Sequence, residues 1–136
     1  MTEDFPVTIY HNPDCGTSRN ALAIIRAAGY EPRVVEYLQE GWTKPLLETL
    51  LTAMSAAPRD ILREKGTPAA ALGLLDPKAP DGRIVDEMIA HPILVNRPIV
   101  VTPRGTKLCR PSETVLSLLD CRPASFTKED GEVVRL

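Results

Sequence analysis

The chain has 136 residues, 43 % of them hydrophobic, enough for one domain with its own core and no disulfide staple. Its 18 acidic residues slightly outnumber 16 basic ones, for a formal net charge of -2, and no long basic run offers a footprint for a phosphate backbone. Nucleic acid is set aside as a ligand on that ground. Eleven of the basic residues are arginine, whose planar fork matches the edge of a small oxyanion.

The opening MTEDFPVTIY has two acids and no basic segment leading into an apolar run, so no secretory or transit peptide is expected. No apolar stretch is long enough to span a bilayer, and no membrane role is expected. Cys15, Cys109 and Cys121 are odd in number and widely spaced, a pattern of free thiols in a reducing, cytoplasmic compartment.

VTIY at 7–10 is β-branched and aromatic and ends in the turn-forming HNPDCG, which predicts a strand opening into a loop. Thr17 and Ser18 are candidate caps for a helix whose apolar stripe is Ala21, Leu22, Ile24, Ile25 and Ala28, with Gly29 as its stop. VVEYL at 34–38 predicts a second strand, and a helix between two such strands makes them parallel. From Thr43 to Ala90 the pattern turns helical, in LLETLLTAM, DILREKG and IVDEMIAHP, broken by Pro58, Pro68, Pro77 and Pro80. PIVVT at 98–102, the turn PRG and TKL at 106–108 predict a hairpin. Pro111 suits the opening of a closing helix through SETVLSLL, and the polar CRPASFTKEDGEVVRL predicts a loosely packed tail. The order is that of an α/β, thioredoxin-like mixed sheet with a helical insertion. It is read as one domain, 1–136, with the insert at about 43–90 and the tail at about 121–136.

This order puts Cys15 at the carboxyl end of the first strand. A thiol attacks only as thiolate, and a free pKa of roughly 8.5 leaves little of it ionised near neutrality. Backbone N–H groups of Gly16, Thr17 and Ser18 can point at the sulfur or at an oxyanion beside it, and Gly16 permits the tight turn this needs. Arg19 adds positive charge if it folds toward the sulfur, and His11 can act through charge or through a hydrogen-bond chain. The plainer alternative makes Cys15 a buried apolar thiol and His11 a surface loop residue.

A dithiol pair would need its second cysteine where Ser18 stands, so internal disulfide catalysis at this loop is excluded. A phosphatase-like C-x5-R loop would need arginine where Ala21 stands. Two histidines and three scattered cysteines show no recurring zinc spacing, and no metal is expected. Three arginines adjoin element ends: Arg63 on the insert helix, Arg97 before Pro98, and Arg110 after the hairpin. The residue before a proline is held extended, and this turn onto the sheet is where a cis bond is tolerated. Arg59, Arg83, Arg104 and Arg122 read as halves of solvated salt bridges, a reading equally open to the other three.

YHNPDCGTSRNAL closely resembles the signature of the arsenate reductases that take electrons from glutathione and glutaredoxin. HPILVNRPIVVTPRGTKLCRPSE resembles that family's second signature and FTKEDG its tail, so the resemblance runs in order through essentially the whole chain. It implies that Cys15 is the nucleophile and that His11 lowers its pKa. By the same carry-over, Arg63, Arg97 and Arg110 bind the anion, Pro98 is cis, and Asn12 with the backbone from Gly16 through Thr17 and Ser18 to Arg19 forms the anion loop. It also implies no bound cofactor, arsenate as substrate, glutathione as co-substrate and glutaredoxin as partner. Other members of this fold family bind RNA polymerase as regulators. An oxidant-sensing regulator and a glutathione-dependent disulfide reductase are the alternative readings, though Ser18 and Arg110 align this chain with the reductases.

Overall fold

The computed structural model describes residues 5–121, 125–127 and 133–135. The chain divides into two units, one comprising the residues up to Glu36 and from Arg97 onward, the other Tyr37–Asn96.

The first unit is built on a four-stranded mixed sheet. Its strands are β1 (Thr8–His11), β2 (Arg33–Glu36), β3 (Ile99–Thr102) and β4 (Gly105–Leu108), in the spatial order β2-β1-β3-β4. β1 pairs in parallel with β2, from Thr8 opposite Arg33 to His11 opposite Glu36, as the connecting helix requires. β3 runs antiparallel to both β1 and β4. Pro103 and Arg104 form the two-residue hairpin turn, and Gly105 closes it at φ +145°, a conformation that a side chain would strain.

The helix α1 (Gly16–Ala27) buries Ser18, Ala21, Ile24 and Ile25 on one face. It ends as Gly29 predicts: at φ +99°, the Gly29 N–H donates to Arg26 O at 3.0 Å and the Tyr30 N–H to Ile25 O at 3.2 Å. Ala21, Ile24 and Ile25 join Ile9, Val100, Cys109, Val115 and Leu118 in the core, each large side chain contributing about 1.5–3 kcal/mol by leaving water. The Tyr30 hydroxyl accepts from the N–H groups of Asp120 and Cys121, at 3.1 and 2.9 Å, anchoring the end of the following segment.

Several expectations are corrected here. The second strand stops at Glu36, and Tyr37–Glu40 forms the one-turn helix α2 instead. The closing helix is 3-10 over Ser112–Leu118, because Ser112, Val115 and Leu118, three residues apart, align on one buried face at three residues per turn. Arg104 is no solvated ion-pair half, since its Nη1 donates to Leu119 O at 2.8 Å. In the expected tail, β5 (Ser125–Thr127) and β6 (Val133–Arg135) pair antiparallel. The other tail calls, including Arg122, fall on 122–124, 128–132 and 136, outside the described residues.

The second unit contains α2, α3 (Lys44–Met54), a 3-10 turn at Pro58–Ile61, α4 (Asp81–Ala90) and a 3-10 turn at Pro92–Leu94. Thr43 caps α3, its Oγ1 accepting from the Leu46 N–H at 3.3 Å, and Pro45 sits in the first turn where its missing N–H costs nothing. Tyr37 and Trp42 pack with ring centroids 5.0 Å apart. Their polar ends are satisfied, Tyr37 Oη donating to Val95 O at 3.4 Å and Trp42 Nε1 to Pro92 O at 3.3 Å. Arg59 is corrected too: its guanidinium donates to the carbonyls of Leu74, Asp76 and Ala79, at 3.1, 3.0 and 3.2 Å, stapling the turns that precede α4.

Candidate active site

The loop between β1 and α1 is folded by Asn12. Its Oδ1 accepts from the Asp14 N–H at 2.9 Å, and its carbonyl accepts from the Cys15 N–H at 3.0 Å. Asn12 is buried, and these bonds make it the residue that shapes the turn. Cys15 follows as the N-cap of α1, in extended conformation with no side-chain cap, so its sulfur stands where the first N–H groups of the helix lack intrahelical acceptors. Thr17 and Ser18, the expected caps, do not cap the helix. Ser18 is fully buried and its hydroxyl turns to β1, lying 2.6 Å from His11 Nδ1 and accepting from the Asn12 N–H at 3.1 Å.

Three groups of this unit act on the Cys15 sulfur. Burial pushes its pKa up, but hydrogen bonds from the Arg97 side chain, the Ser18 N–H and Arg110, with the charge of Arg97, hold it well below the ordinary thiol value, at about 7. Arg110 Nη1 lies 3.8 Å from Cys15 Sγ and also donates to Arg97 O at 2.9 Å, so the two arginines are held together. Each precedes a proline across a cis peptide bond: Arg97-Pro98, as expected, and Arg110-Pro111, where the sequence suggests only a helix opening.

Arg19 is corrected: rather than reaching the sulfur, its Nη1 donates to Pro13 O at 2.6 Å and braces the loop. His11 is buried, and desolvation lowers its pKa, aided by Arg26 and Arg19 and opposed by Glu36. Burial thus disfavours the charged imidazole. Of the two routes left open to it, charge is disfavoured and the hydrogen-bond chain through Ser18 is present. The sequence does not disclose that role of the Ser18 hydroxyl, because seven residues separate it from His11 and only the βα turn brings them together.

Arg63 belongs to the second unit and is not helical. It follows the 3-10 turn, after Leu62 makes an isolated bridge to Val95, and donates from Nε to Lys65 O at 3.2 Å and from Nη1 to Asn96 Oδ1 at 3.3 Å. The other thiols differ sharply from Cys15. Cys109 is fully buried in the core, where desolvation pushes its pKa up to about 12, and Cys121 is exposed. Arg110, next to Cys109 and just past the end of β4, faces the sulfur of Cys15 while Cys109 faces the core. Among the described residues no group of three or more His, Cys, Asp or Glu could hold a metal ion, and no helix is long and apolar enough to cross a membrane.

Known proteins match this chain over most of its length. The chain is 58 % identical over 135 residues to the arsenate reductase ArsI1 of Synechocystis sp., covering 98 % of this chain and 93 % of that protein. It is 54 % identical over 129 residues to an arsenate reductase of Escherichia coli, covering 94 % of this chain and 92 % of that one. Among solved structures, an arsenate reductase from Vibrio cholerae superposes with a TM-score of 0.81 at 34 % identity, over 86 % of this chain and all of that one. The profile of the ArsC family matches residues 10–118, which include every residue assigned above, and the chain belongs to the ArsC family.

Proposed function

We propose that this protein reduces arsenate to arsenite in a reducing, cytoplasmic compartment, with Cys15 as nucleophile, glutathione as co-substrate and glutaredoxin as protein partner. The observation that supports this most is the sulfur of Cys15 at the N-terminus of α1 with Arg97 and Arg110 both donating to it. The full-length similarity to proteins named arsenate reductase supplies the substrate.

Arsenate is a tetrahedral, mostly dianionic ion at neutral pH, and a thiolate approaches it against repulsion. Arg97, Arg110 and the N–H groups of Gly16, Thr17 and Ser18 offset that repulsion and stabilise charge as an oxygen leaves as water. A bond forms between Cys15 Sγ and arsenic. Glutathione adds next, its sulfur bonding arsenic as a second oxygen leaves as water. The two sulfurs then join as a Cys15–glutathione mixed disulfide, giving two electrons to arsenic and releasing arsenite, and glutaredoxin takes the glutathionyl group to restore the Cys15 thiol. An external thiol is needed because Ser18 occupies the place of a resolving cysteine and Cys109 is locked in the core. His11 acts through Ser18, whose hydroxyl it holds while the Ser18 N–H serves the sulfur. Arg63 is assigned to the anion by the family resemblance alone.

Turnover is measured as NADPH consumption with glutathione reductase as the coupling enzyme. Arsenate-dependent consumption is expected only when glutathione and a glutaredoxin are both present. Equal turnover with thioredoxin and no glutathione would overturn the electron source, and no turnover with either donor would overturn the reaction.

A further inference from the structure

His11 and Glu36 end two neighbouring parallel strands and stand in register, so their side chains leave the same face of the sheet side by side. His11 is 5 % exposed and Glu36 half-buried, which weakens solvent screening between them. On the α1 side of the ring, Nδ1 is committed to the Ser18 hydroxyl at 2.6 Å. That hydroxyl already accepts the Asn12 N–H, and its own proton is best used toward Nδ1. Nδ1 then serves as acceptor, and the ring proton belongs on Nε2.

We infer that Glu36 is a positioning residue for His11, its carboxylate fixing the imidazole as the Nε2–H tautomer so that Nδ1 accepts from Ser18. The charged groups acting on this ring are Glu36 from β2 and Arg19 and Arg26 from α1, and Glu36 is the acidic one among them. The two arginines disfavour a proton on the ring and the carboxylate favours one, so Glu36 is what ties the proton down. With the tautomer fixed, Ser18 is held between His11 and Asn12, and its backbone N–H stays aimed at the Cys15 sulfur. Without Glu36 the ring populates Nδ1–H, the Ser18 oxygen receives two donors, and its proton must be aimed elsewhere. This inference rests on Cys15 as the reacting thiol, but its primary readout does not depend on arsenate turnover.

The test compares wild type, Glu36→Gln and Glu36→Asp by nitrogen-15 NMR of the imidazoles. His11 and His91 are the two histidines of the chain, so a His91→Gln background leaves the His11 signals unambiguous. Wild type is expected to show Nε2 protonated and Nδ1 bare. Glu36→Gln is expected to titrate at lower pH and to gain Nδ1–H character, and Glu36→Asp to restore the wild-type tautomer in part. Arsenate kcat/KM is expected to fall by roughly fivefold in Glu36→Gln, the scale of one net hydrogen bond, and to recover in Glu36→Asp. A bystander charge would move the titration and leave the tautomer alone. An Nδ1–H tautomer in wild type, or an unchanged tautomer in folded Glu36→Gln, would overturn the assignment. If the protein proves inactive on arsenate, the NMR result still decides the role of Glu36, so the two failures are distinguishable.

Discussion

Cys15→Ser is expected to abolish arsenate reduction, lowering turnover by at least ~1000-fold, while the folded protein retains its stability. The substitution removes two properties at once. A serine hydroxyl does not ionise near neutrality even beside Arg97 and Arg110, so no nucleophile remains. Oxygen also cannot take the place of sulfur in a mixed disulfide, so the electrons that reduce arsenic have no source at this position. The other thiols are the control. Cys109 is held neutral by burial, with its pKa near 12, and takes no part at working pH. Cys109→Ser buries a hydroxyl in an apolar core and is expected to cost about 1–3 kcal/mol of stability at unchanged kcat/KM. Exposed Cys121→Ser is expected to change neither. Denaturant unfolding beside steady-state kinetics separates these outcomes, and a folded but inactive Cys109→Ser protein would require an internal disulfide route instead.

Arg97→Lys and Arg110→Lys are each expected to lower kcat/KM for arsenate by roughly tenfold or more, a loss of about 1.4 kcal/mol of transition-state stabilisation. Lysine keeps the charge and loses the planar fork, so the change tests geometry rather than sign. Arg97 should be the more damaging site. Its hydrogen bond and its charge both favour the Cys15 thiolate, whereas Arg110 is exposed and divides Nη1 between Cys15 Sγ at 3.8 Å and Arg97 O at 2.9 Å. The loss is expected mainly in kcat, since both groups meet charge that develops as the thiolate attacks. Exposed Arg33, at the start of β2, supplies the control: Arg33→Lys should leave kinetics unchanged. Wild-type kcat/KM in the Arg97→Lys/Arg110→Lys double variant would mean that backbone N–H groups alone hold the oxyanion.

What the sequence disclosed and what it hid follow one physical division. Local patterns with a definite chemical meaning were legible. VTIY and the stripe from Ala21 to Ala28 define a βαβ unit, Gly29 ends its helix, and Pro103, Arg104 and Gly105 turn a hairpin. Those elements suffice to place Cys15 at a strand-loop-helix junction. Side-chain destinations were not legible, because they depend on which acceptor is nearest in space. Arg19 turns to the carbonyl of Pro13 rather than to the sulfur of Cys15, and Arg59 and Arg104 turn to carbonyls rather than to carboxylates. Helix type was hidden for a similar reason. SETVLSLL has apolar residues at spacings that serve either three or 3.6 residues per turn, and only packing against α1 and the sheet selects the tighter one. In VVEYL, alternation continues through Tyr37, but Tyr37 packs on Trp42 and begins a helix instead.

Reduction of arsenate by this site requires Cys15 as a thiolate at neutral pH, and the pH dependence of its alkylation by iodoacetamide tests that most directly. In a Cys109→Ser/Cys121→Ser background the rate reports Cys15 alone. Only the thiolate reacts, so the rate should be low in acid, rise through the folded-state pKa and level off above it. The expected midpoint is near pH 7, where Arg97, the Ser18 N–H and Arg110 together outweigh the cost of burial. A midpoint at or above the free-thiol value of roughly 8.5 would contradict this, because the arginines and the helix terminus would then not outweigh the cost of burying the sulfur.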